Sequence, residues 1–180
     1  MRVFITFATL FAISIFASTV NAQAVLFEGT GNYYELVSEN VTWEEAEALA
    51  GVRTLFGVQG HLVTLTSQEE NEFLLDTFGG LSGWIGLSQE PGSVEPGGGF
   101  GWVTDEALEF TSFGGVEPNN AFGDEQFVEF FNGNWNDLGP TSNRRYYVEF
   151  ETAALAVPEP SSLFANLILI SCFLGLRRRK

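Results

Sequence analysis

The stretch Phe127-Val128-Glu129-Phe130-Phe131-Asn132-Gly133-Asn134-Trp135-Asn136-Asp137 decides how this chain is read. Phe127, Glu129 and Phe131 alternate with Val128 and Phe130, the two-residue period of a strand. Asn132-Gly133 is a dipeptide that tolerates positive φ at both centres of a tight turn, so Asn134-Trp135 resumes the chain in the opposite direction. Asn136 and Asp137 then lie just past a hairpin, two oxygen-bearing side chains side by side.

Working upstream, a long irregular stretch runs from Ser88 to Asn120, and a loop of that length in a small domain is usually functional or disordered. Glu117-Pro118-Asn119 stands at its end, and Glu125 follows eight residues after Glu117. Five oxygen-bearing side chains converge if the hairpin folds back on this loop. Calcium takes six to eight oxygens, so three carboxylates and two amides would leave part of its shell for an outside ligand. A cis peptide before Pro118 would make a tight turn aiming Glu117 and Asn119 at one point.

The rest of the chain supplies a scaffold. Thr42 with Glu45, and Ser67 with Glu70, fit the capping box, predicting helices over about 43–50 and 68–77. His61–Leu65 and 84–87 read as strands, as do 100–103 and 146–151, giving two short helices followed by antiparallel strands. Trp43, Trp84 and Trp135 suit core positions, with Trp102 less determined. His61, the only histidine, opens an apolar strand with no nucleophile beside it, which argues for a structural role.

Composition bounds the function. With 180 residues, 45% apolar and 14% aromatic, the chain has material for one domain once its ends are set aside. Residues 23–157 carry 22 acids against Arg53, Arg144 and Arg145, a net of −19. Such a surface repels nucleic acid and anionic membranes. The sole cysteine, Cys172, lies in a C-terminal apolar run, so stability must come from the core rather than from disulfides.

Both ends read as addresses. Arg2, the apolar run Val3–Ala17 and Val20-Asn21-Ala22 form a secretory signal with cleavage before Gln23. At the other end Val157-Pro158-Glu159-Pro160 precedes the apolar run Leu163–Leu176 and the tetrad Arg177-Arg178-Arg179-Lys180. At a rise of roughly 1.5 Å per residue the run is a marginal span for a ~30 Å hydrocarbon layer. This order resembles the PEP-CTERM sorting signal of Gram-negative bacteria that make extracellular polymer. The resemblance implies recognition by an exosortase, transient anchoring in the inner membrane and delivery to the cell surface or matrix.

Trp84-Ile85-Gly86-Leu87, Glu117-Pro118-Asn119 and Trp135-Asn136-Asp137, in this order, resemble the C-type lectin domain from about Tyr33 to Glu151. Thr42-Trp43-Glu44-Glu45-Ala46 and Gly60-His61-Leu62-Val63 extend the likeness. The resemblance implies an α+β fold with two short helices, small antiparallel sheets and a long irregular calcium-binding loop region. It further implies that Glu117, Asn119, Glu125, Asn136 and Asp137 ligate Ca2+ and bind sugar, preferring mannose, glucose or N-acetylglucosamine. The family's disulfide positions hold Ala50 opposite Val148 and Phe127 opposite Pro140. Gln126 and Gln89 stand where many members place ligands of an auxiliary calcium, with Glu90, Glu95 and Asp124 nearby.

The expectation is therefore a signal peptide over 1–22, a C-type-lectin-like domain over 23–156 and a sorting signal over 157–180. The domain is expected to bind carbohydrate or exopolysaccharide with calcium, to have no enzymatic activity, and to touch a membrane only through its tail. A second reading keeps the fold but makes it a structural or protein-binding surface module.

Overall fold

Thr42 does what its spacing predicts: its hydroxyl accepts the Glu45 N–H while the Glu45 carboxylate accepts the Thr42 N–H at 3.0 Å, opening α1 (Trp43–Gly51). The computed structural model describes residues 23–152, so the segments expected at 1–22 and 157–180 lie outside it. Ser67 caps α2 (Gln68–Phe78) through the Glu70 N–H, but the reciprocal half of the box is missing. The Glu70 carboxylate turns instead to the N–H and hydroxyl of Thr66, at 2.8 and 2.7 Å. Gly79, at φ 69°, ends the helix in the left-handed conformation that glycine adopts freely.

The strands are β1 (Val25–Phe27), β2 (Asn32–Val41), β3 (Thr54–Leu55), β4 (Val58–Leu62), β5 (Gly83–Gln89), β6 (Phe100–Trp102), β7 (Phe127–Phe131), β8 (Asn134–Leu138) and β9 (Arg144–Phe150). They connect in the order β1-β2-β9-β5-β7-β8, with β4 also on β9, β3 on β4 and β6 on β5. Most pairs are antiparallel, but β5 and β9 run parallel through Gly83↔Arg145 and Trp84↔Tyr146, making the sheet mixed. That pair corrects the purely antiparallel expectation, and β7–β8 adopts the expected hairpin with Phe131 opposite Asn134.

Three further differences from the sequence reading have physical causes. β2, not foreseen as a strand, buries Tyr34, Glu35 and Leu36 consecutively, because β9 pairs along it while Arg53 neutralises Glu35 in a two-pronged contact of 3.0 and 2.5 Å. The strand expected over His61–Leu65 stops at Leu62. Val63 leaves the ladder but stays fully buried, donating its N–H to Tyr147 and accepting that of Gly86. The segment Val52 to Gln59 forms the β3–β4 hairpin, turning at Phe56 and Gly57, both at positive φ.

Two apolar clusters stabilise the sheet. One gathers Tyr34, Leu74, Ile85, Leu87, Trp102, Phe130 and Trp135; the other gathers Trp43, Ala46, Ala50, Leu62, Trp84 and Val148. Ala50 and Val148, at the family's disulfide positions, are fully buried in the same cluster, and Phe127 stacks on Trp43 at 4.8 Å. Apolar packing thus occupies positions where a covalent link would otherwise contribute. All four tryptophans are buried, Trp102 included. His61 hydrogen-bonds through Nδ1 to the Leu62 carbonyl and faces Glu151 at 3.5 Å, with no nucleophile among these contacts. Among the described residues no helix is long and apolar enough to cross a membrane.

Candidate functional site

Trp135 ties the long irregular stretch to the β7–β8 hairpin. Its N–H donates to Ser112 O at 2.8 Å and its carbonyl accepts the Gly114 N–H at 3.1 Å, so Phe113 forms a parallel bridge with it. The edges of Trp102, Phe110 and Phe113 surround the indole at 5.5–5.6 Å, and the indole N–H donates to Asn71 Oδ1 at 2.9 Å. The loop is therefore anchored two residues from Asp137 and three from Glu117.

From that anchor the chain turns back. Glu117 donates its N–H to Gly114 O at 2.9 Å, and the Glu117–Pro118 peptide is cis. Asp137, almost fully buried, accepts the Asn119 N–H on Oδ1 at 3.1 Å and the Asn120 N–H on Oδ2 at 2.8 Å. The Asn119 amide donates to the Glu117 carboxylate. Glu125 accepts the Ala121 N–H at 2.5 Å, and its own N–H donates to Asn120 Oδ1 at 3.1 Å. Four of the five expected residues, Glu117, Asn119, Glu125 and Asp137, thus meet around the 117–125 turn.

Asn136 comes to the same corner by another route. Its Nδ2 donates to Glu129 Oε1 at 3.2 Å, which turns the amide oxygen away from Glu129. Glu129 is buried and held from its other oxygen by Arg144 at 2.6 Å and by the Ser82 hydroxyl. Asn136 and Glu117 line one open cleft of about 390 Å³. Sequence reading missed Glu129, Arg144, Ser82 and Asn120. An acid in the middle of the apolar run Phe127–Phe131 was the available signal for Glu129.

The electrostatics suit a cation. Loss of water raises the Glu117 carboxyl above its ordinary range, and a hydrogen bond and charge repulsion from Asp137, with repulsion from Glu125, raise it further. Burial also raises Glu125, partly offset by the Ala121 N–H, with Asp137 adding repulsion. A hard divalent ion would relieve the repulsion felt by Glu117 and Glu125. Among the described residues no group of three or more His, Cys, Asp or Glu side chains is already gathered in a metal-holding arrangement. The oxygens instead rest on protein donors, Glu117 on an amide, Glu125 and Asp137 on backbone N–H groups. The donor set is all oxygen, with both amides able to present carbonyls, which fits a hard cation.

The auxiliary position differs. Gln89 donates its amide to Gly98 O at 2.8 Å and to Glu95 at 3.3 Å, and Gln126 donates to Asp124 at 3.0 Å. Both glutamines are engaged as donors to neighbouring oxygens. Glu90 and Glu95 line a neighbouring cleft with them, whereas Asp124 meets Gln126 only from the site loop.

The fold and this corner together define a class. The Lectin C-type domain model matches residues 39–148, and the chain belongs to that family. C-type lectin domains are generally non-catalytic binding modules. The chain is 35% identical over 137 residues to Halomucin of Haloquadratum walsbyi, covering 67% of this chain and 2% of that protein. It is 36% identical over 105 residues to human C-type lectin domain family 4 member K, covering 55% and 28%. An alpha-N-acetylgalactosamine-specific lectin of Patiria pectinifera is 35% identical over 98 residues, covering 50% and 54%. The chain therefore spans at most about half the length of these relatives. Among solved structures, the cow CD23 carbohydrate-recognition domain superposes with TM-score 0.60 at 24% identity, covering 72% of this chain and 92% of that one. The EPNH mutant of CEL-I, from Cucumaria echinata, gives 0.59 at 23%, covering 66% and 89%.

Proposed function

We propose that this domain is a calcium-dependent carbohydrate-binding module. The observation that supports it most directly is the grip of Asp137 on the Asn119 and Asn120 N–H groups, which brings two distant stretches of oxygen ligands to one corner. Calcium would be held by Glu117, Asn119, Glu125, Asn136 and Asp137. When bound it supplies open coordination positions for vicinal hydroxyls. The same side chains exchange hydrogen bonds with those hydroxyls, carboxylates accepting and amides donating.

Acid at 117 and amide at 119 favour equatorial hydroxyl pairs of the mannose, glucose and N-acetylglucosamine type. Relatives named as lectins, including one named for alpha-N-acetylgalactosamine, support sugar as the ligand class and differ in which sugar. Glycan-array binding abolished by EGTA is the expected result; equal signal with and without calcium would remove the proposal. Glu117→Gln with Asn119→Asp should move preference towards galactose-like sugars, and an unchanged preference would refute this ligand assignment.

The proposal extends to placement. Signal and tail together point to export and display of the domain at the surface or in the matrix of a Gram-negative bacterium, with an exosortase processing the tail. Exopolysaccharide is the ligand source that fits that location. Mass spectrometry of the mature protein tests this: an N-terminus at Gln23 and loss of the basic tetrad are expected.

A further inference from the structure

We infer that the sugar site extends along the β7–β8 turn and takes at least two consecutive neutral sugar residues, with Phe131 as the stacking platform for the second. This rests on the carbohydrate reading above.

The cleft that contains Glu117 and Asn136 does not end at them. Gly115, Phe131, Asn132 and Asn134 line it as well, and its volume of about 390 Å³ lies within the roughly 300–1,000 Å³ of small-molecule sites. Gly115 borders open space, with no atom within 4 Å of where a Cβ would stand. Phe131 is the outward-facing residue of β7 and remains 57% exposed, whereas Val128 and Phe130 of the same strand are fully buried. A single exposed aromatic is ordinary on a protein surface. What distinguishes Phe131 is that it shares a wall with two of the five proposed sugar-binding residues.

The chemistry of the wall fits a pyranose. An exposed ring offers a flat apolar face to sugar C–H groups, and the exposed amides of Asn132 and Asn134 beside it can donate and accept towards hydroxyls. The residues lining the cleft include no Lys, Arg or His, and the domain around it is strongly acidic, so a uronic acid or other anionic unit is disfavoured there. A ring seated at Glu117 and Asn136 therefore has its glycosidic neighbour directed over Phe131.

Calorimetric titration of the calcium-loaded domain with methyl mannoside, with mannobioses of different linkage and with chitobiose tests this. At least one disaccharide should bind about five- to tenfold tighter than its monosaccharide, a gain typical of an aromatic contact. Phe131→Ala should erase that gain while leaving methyl mannoside affinity unchanged, and Phe131→Tyr should retain it. No gain in the unaltered domain, or a gain that survives Phe131→Ala, overturns the extended site and leaves the calcium-sugar reading standing. Absence of binding by every saccharide overturns both.

Discussion

Asp137 accepts the backbone N–H of Asn119 at 3.1 Å across a separation of 18 residues, and its second oxygen accepts the next N–H along the chain. One carboxylate at the end of β8 thereby fixes the course of the 117–125 turn.

Replacing that carboxylate tests its double role. Asp137→Asn places an amide N–H against a backbone N–H, leaving one buried donor unmatched at a cost of about 1–3 kcal/mol. Urea denaturation in EGTA should show that loss, and calcium titration should show affinity reduced by more than about tenfold, since a charged ligand is also gone.

Glu129 acts one step back from the site. It orients the Asn136 amide while Arg144 and Ser82 hold it from the other side. Glu129→Gln keeps the shape but lets the Asn136 amide rotate, and partners of this kind are typically worth about 10–100-fold in metal affinity. Isothermal titration with calcium should show a fall in that range with the fold intact by circular dichroism.

Glu149 predicts a pH dependence of the metal-free domain. Burial raises its carboxyl above the ordinary value of 4.5, Glu70 adds to the rise, and His61, Thr64 and Asn32 oppose it. The Tyr34 hydroxyl lies between the two carboxyl groups, 2.8 Å from Glu70 and 3.0 Å from Glu149, with a single proton to donate to one of them. With the folded-state value raised, the native chain keeps a proton the unfolded chain has lost, so stability falls as pH rises through that window. Melting in EGTA at a series of pH values upward from the ordinary carboxyl value of 4.5 should show this slope, and Glu149→Gln should flatten it.

Gly60 lets β4 pass close to α1 and β9. A methyl group there would lie 2.8 Å from Val148 Cγ1 and 3.1 Å from the Ala50 carbonyl. Gly60→Ala should therefore cost about 1–3 kcal/mol by overpacking, read as a lowered denaturation midpoint with an unchanged slope.

Much of this molecule was legible before any coordinate. The Thr42 cap, both helices within one residue at their ends, the Asn132-Gly133 turn and strand 127–131 all depend on neighbours a few residues apart, and short-range chemistry is written locally. Glu117-Pro118-Asn119 and Trp135-Asn136-Asp137 were legible as motifs through their resemblance to the C-type lectin domain, the family whose model matches residues 39–148. The capping box at Ser67 was only half right, because the adjacent Thr66 and, from β2, Tyr34 compete for the Glu70 carboxylate.

By itself, then, the amino-acid order determined the fold family, both helices and most of the strands, and it nominated the side chains proposed to hold a cation. Tertiary structure alone decided that Asn32–Val41 is a strand, that Val63 leaves the ladder, that β5 and β9 run parallel, and that Arg144 is the counter-charge of Glu129. Each of these rests on a partner distant in sequence. A strand's ladder and a buried acid's counter-charge are properties of pairs, and the second member lies beyond the local stretch that shows the first.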